Sequence, residues 1–112
     1  MLIAIIVSAI FIFVKSNKTN IPTDDFKICD YYGDVILEND DIESAKEKIS
    51  NGQNCIEFKL SQEGQEKFAE ATKVISKSNN HYTNVYRNGI LICTPSVTQE
   101  INTDTLLMTM PG

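Results

Sequence analysis

The stretch Cys55–Ser78, CIEFKLSQEGQEKFAEATKVISKS, admits few folds, because it couples a strand directly to a helix. Ile56, Phe58 and Leu60 alternate with Glu57 and Lys59, the period of a half-buried strand. Ser61 offers an N-cap oxygen, and Gln62 and Glu63 give the helix a polar, acidic first turn. Phe68, Ala71, Thr72 and Ile75 recur at helical spacing and define one buried face. Glu63 with Lys67, and Glu70 with Lys73, stand where opposite charges meet on the wet face. Asn79 and Asn80 are stop residues, since Asn tolerates the left-handed conformation.

The flanking segments divide the chain into residues 1–15, a membrane anchor, 16–33, a linker and lead-in, and 34–112, the folded domain. Leu2–Val14, LIAIIVSAIFIFV, is apolar except for Ser8. It is shorter than the roughly 20 residues that span a bilayer comfortably. No basic segment precedes it and no small-residue cleavage pattern follows it, as a signal peptide requires. A helix apolar on every side suits lipid better than a small domain's core, so it is expected to be an uncleaved single-pass anchor, its short span met either by a few further residues at its N-terminus or by a locally thinned bilayer. Lys15 and Lys18 after it would by themselves place the domain in the cytoplasm. Lys15–Asp25 is polar, contains Pro22 and lacks periodicity.

Val35, Ile36 and Leu37 suggest a short strand. Tyr31 and Tyr32, before Gly33, are expected to pack against the domain, with an aromatic binding patch as the alternative. Asp40 and Glu43 resemble a capping box that opens a helix with Ile42, Ala45 and Ile49 as its buried stripe and Gly52 as its stop. The acidic group Glu38, Asp40 and Asp41 does not match a calcium loop, and helix capping explains it. Tyr82–Arg87 and Ile90–Thr94 flank Asn88-Gly89, the strongest short hairpin signal. Val85, Ile90 and Ile92 are expected in the core. Pro95 ends the second arm, and Thr105–Met110 reads as a last strand.

Chemistry is sparse. The net charge of −5 and the absence of a basic cluster exclude nucleic acid as a partner. Cys29, Cys55 and Cys93 have irregular spacing, and with one histidine they make no zinc site. Cys55 and Cys93 read as small core residues, though an oxidising compartment would allow one disulfide among the three. His81 has no acid or cysteine placed to assist it, and no nucleophile elbow or phosphate loop is present. No enzyme activity, cofactor or metal is expected.

The run from Asp34 to Val97 resembles the head subdomain of the first large extracytoplasmic domain of SecD and SecDF, accessory subunits of the Sec translocase. Leu37 before an acidic turn, Asp41-Ile42 with Ala45, the strand ending at Leu60, Glu63-Gly64, Lys67-Phe68 and Thr72 carry the match, followed by Gly89 and Pro95. The family's turn is Asp-Gly and its end Ala-Pro, whereas here they are Asn88-Gly89 and Thr94-Pro95. The resemblance implies an α+β, ferredoxin-like two-layer sandwich, with two helices on a small, mainly antiparallel sheet, outside the cytoplasmic membrane. It transfers no functional residue. No acid lies in Leu2–Val14, so proton-driven work is excluded. The expected role is a membrane-tethered, non-catalytic module contacting exported, unfolded polypeptide or Sec translocase components. The alternatives are a structural or vestigial SecD-like fragment and a regulator facing the cytosol.

Overall fold

Two Asn-Gly turns set the strand pairing in the computed structural model, which describes residues 24–111. Asn51 and Gly52 have φ of 53° and 78°, and Asn88 and Gly89 have φ of 53° and 81°. Positive φ at both central positions gives the turn a twist that matches its flanking strands. The second turn joins β5 (Thr83–Arg87) to β6 (Ile90–Cys93), as expected. The first joins β3 (Ile42–Ser50) to β4 (Gln53–Leu60), where a helix was expected before Gly52.

The helix expected from Asp40 is therefore replaced by an edge strand. Ala, Lys and Glu over Ala45–Lys48 favour a helix locally, but a helix of this length is marginal without a face to bury. Ile49, assigned to the buried stripe, is 72% exposed. Pairing along β4 satisfies the backbone instead, and Glu43, Lys46, Glu47 and Lys48 keep the edge charged and exposed. The capping box also moves. Glu38 donates its N–H to Asp41 Oδ2 at 3.2 Å, in a single 3-10 turn over Asn39–Asp41.

The remaining elements are β1 (Phe26–Asp30), β2 (Val35–Glu38), α1 (Gln62–Ile75) and β7 (Thr105–Thr109). The lead-in expected over 16–33 thus includes a full strand. One sheet has the order β2-β1-β5-β6 and the other β3-β4-β7, with every pairing antiparallel. The domain is α+β with one helix and two antiparallel sheets, in place of the ferredoxin-like arrangement of two helices on one sheet. The chain crosses between sheets three times: through the 3-10 turn, through α1, and through residues 94–104.

Apolar faces of both sheets form one core with the helix. Phe26 and Phe58, on inner strands of the two sheets, meet edge to face at 5.1 Å. Ile28, Leu37, Val85, Ile56, Leu60 and Leu106 surround them, and Phe68 adds the helix face. Ser61 caps α1, accepting from the Gly64 N–H at 3.0 Å. Thr72 is fully buried; its hydroxyl donates to the Phe68 carbonyl at 2.7 Å and accepts from the Ile101 N–H at 2.8 Å. Lys67 does not pair with Glu63. Its ammonium donates to Asp41 Oδ1 at 3.0 Å, fixing the helix to the β2–β3 turn. No ion pair joins Glu70 to Lys73 among the described residues.

Several further assignments change. Ile90, expected in the core, is exposed, whereas Val85 is buried and Ile92 partly so. Tyr31 and Tyr32 lie on the surface rather than against the domain. The expected anchor Leu2–Val14 lies outside the described residues, and among those residues no helix is long and apolar enough to cross a membrane.

Candidate functional site

β6 and β7 are the last strands of their respective sheets, and each pairs on one side only among the described residues. Their walls enclose an open groove of about 430 Å³. Cys93, Thr94 and Pro95 form one wall, Leu107, Met108 and Thr109 the other, and Pro111 bounds it. A second hollow of about 260 Å³ shares Pro95, Leu107 and Met108, and extends to Phe68, Val97 and Ile101. Pro95 creates this geometry. It ends β6 and offers no N–H to a further ladder, while its carbonyl accepts from the Thr83 N–H at 2.9 Å and keeps the chain against β5. The Val97 N–H returns to the His81 carbonyl at 2.7 Å.

The groove is apolar and carries no activated nucleophile. Burial pushes the Cys93 thiol above its ordinary range, so it stays protonated at neutral pH. Cys29 shifts the same way, through burial first and the Asp30 charge second. Cys29, Cys55 and Cys93 are all buried free thiols.

The other candidate residues lie apart from the groove. His81 stacks on Tyr82, with ring centroids 4.8 Å apart. Tyr31 and Tyr32 sit edge to face at 5.5 Å, and Asn80 Nδ2 donates to the Tyr32 hydroxyl at 2.7 Å. Because Asp30 on β1 is paired with Thr83 on β5, these four rings share one end of the first sheet. Asp41 is committed to Lys67 and Glu38, while Glu38 and Asp40 are exposed. Among the described residues no group of three or more His, Cys, Asp or Glu side chains is placed to hold a metal.

At the opposite end of β1, sequence reasoning missed a clasp. Arg87 Nε and Nη2 donate to Asp24 Oδ2 at 3.0 and 2.8 Å, and Nη1 donates to Glu47 Oε2 at 2.7 Å. Arg87 also lies over the Phe26 ring, 5.5 Å from its centroid. The Arg87 hydrogen bond, then that of Asn88, holds the Asp24 carboxyl below its ordinary range. Asn88 and the backbone of Asp25 exchange hydrogen bonds of 2.9 and 2.7 Å. No local motif marks such a contact, since its partners lie far apart in the chain.

No family model matches the chain, and no characterised protein matches it in sequence. Solved structures do. SecDF in its super-membrane-facing form aligns over 70% of this chain with a TM-score of 0.61 and 19% identity. A second SecDF structure, of a membrane component that enhances protein export, aligns over 69% with a TM-score of 0.60, also at 19% identity. The aligned part is 10% of the first SecDF chain and 34% of the second, so this chain spans a minor share of either. The described residues have the fold of a SecDF domain.

Proposed function

We propose that this chain is a membrane-tethered, non-catalytic module that holds an extended segment of unfolded polypeptide between β6 and β7. The carrying observation is the apolar groove between two sheet edges. A strand laid there hydrogen-bonds to β6 on one side and β7 on the other, turning two sheets into one continuous ladder. Leu107 and Met108 supply apolar contact for alternate side chains. The likeness to SecDF, named for enhancing protein export, supports an exported polypeptide as the occupant and the Sec translocase as the neighbour. It also supports a position corresponding to the head subdomain, on the extracytoplasmic side, and the apolar run Leu2–Val14 supports that segment as the anchor.

Titration with a permanently unfolded, carboxymethylated protein tests the binding. Amide hydrogen exchange across Ile90–Cys93 and Thr105–Thr109 should slow on complex formation, and Leu107→Asp should weaken binding about tenfold, the loss of one buried apolar contact. Unchanged exchange at both edges would remove the groove from consideration. Sidedness is tested separately: protease added to spheroplasts should cleave the domain, and survival until lysis would place it in the cytosol.

A further inference from the structure

The aromatic end of the first sheet lies away from the groove and is not used by it. Tyr31, Tyr32 and Tyr82 are 52%, 74% and 40% exposed. The turn that carries the first two is held rigidly. Asp30 Oδ1 accepts the Tyr32 and Asp34 N–H groups, both at 2.9 Å, and Gly33 takes φ of 96°. Tyr32 is fixed again by Asn80. An edge-to-face pair leaves ring faces uncovered, so the Tyr31–Tyr32 arrangement offers π surface without further rearrangement. Asp30 and Asp34 stand in the same turn, and neither forms an ion pair with a Lys or Arg among the described residues.

We propose that this end, Tyr31, Tyr32 and Tyr82 beside Asp30 and Asp34, docks a cationic polypeptide segment bearing Arg or Lys. Aromatic faces attract cations through their quadrupole. The two carboxylates add long-range attraction for the same charge, reinforced by the chain's net charge of −5. The same carboxylates repel an anionic lipid surface. Preorganisation lowers the ordering cost, because Tyr32 is already fixed by Asp30 and Asn80.

The test uses the whole chain in mild detergent and a labelled peptide of alternating Arg and Ser, which has no apolar side chain to occupy the groove. Three of the 4 tyrosines are in this patch and the chain has 0 tryptophans, so intrinsic fluorescence reports on it directly. Saturable binding, weakened by salt and accompanied by a tyrosine fluorescence change, is expected. Tyr32→Ser should weaken it about two- to fivefold, the range of an exposed cation–π contact. Asp34→Asn should weaken it as well, while Leu107→Asp should leave it unchanged. Equal binding of the Glu–Ser counterpart or of a neutral chito-oligosaccharide would overturn the assignment. So would unaltered affinity in folded Tyr32→Ser and Asp34→Asn chains. None of these outcomes bears on the groove, which is read by exchange at β6 and β7.

Discussion

Gly64 lets the first turn of α1 approach the β2–β3 junction more closely than any side chain would allow. A Cβ there would stand 2.5 Å from the Asp41 carbonyl oxygen, which already accepts the Ser61 N–H at 2.9 Å. The closest atom is backbone and cannot swing aside, so Gly64→Ala should cost about 1–3 kcal/mol, seen as a lower urea midpoint with an unchanged slope. The Lys67–Asp41 contact beside it has a pH signature. Its hydrogen bond to Asp41 raises the Lys67 pKa above the ordinary lysine value. A raised folded pKa means stability that is complete below about pH 10.4 and declines as pH climbs through the folded value. The urea midpoint of the native chain should therefore fall more steeply in alkali than that of Lys67→Met. These residues show why sequence reading stopped short. Glu63 is the obvious i, i+4 partner for Lys67, but the buried Asp41 carboxylate has more to gain from a cation than an exposed one.

At the scale of elements, legibility followed periodicity. The strand and helix of Cys55–Ser78 were readable because Ile56, Phe58 and Leu60 alternate towards the core, while Phe68, Thr72 and Ile75 repeat every three to four residues. β3 was unreadable by the same measure. As a charged edge strand that buries only Ile42, it has no alternation to detect, and its Ala, Lys and Glu imitate an exposed helix. The Asn51-Gly52 dipeptide carries the same turn chemistry as Asn88-Gly89, but after a helical stripe Gly52 reads equally well as a helix stop. Phe68 anchors α1 and is 1% exposed. Phe68→Ala should destabilise the domain by roughly 3–5 kcal/mol, detectable by thermal unfolding, because the cavity cannot close between two sheets. The groove was not legible at all. It arises where strands distant in sequence end on neighbouring edges, a juxtaposition that no local pattern marks.

For the whole molecule, the Arg87 clasp joins the start of β1, the end of β5 and the middle of β3, and so ties the two sheets together at one end. Its acid sensitivity follows from Asp24. A carboxyl held below its ordinary range contributes stability above about pH 3.9 that is lost as pH falls through the folded value. Asp24→Asn should flatten this part of the pH profile, a difference readable as urea midpoints at neutral and acid pH. The clasp also determines how the domain responds to being pulled. Traction on the segment before Asp24 meets the Arg87 clasp first and then Phe26, at the start of an inner strand bonded along both flanks to β2 and β5. The load then acts parallel to the strand axis, shearing many hydrogen bonds together instead of peeling them one by one. A pull from that point must break the clasp and the flanking hydrogen bonds before the strand can leave the sheet.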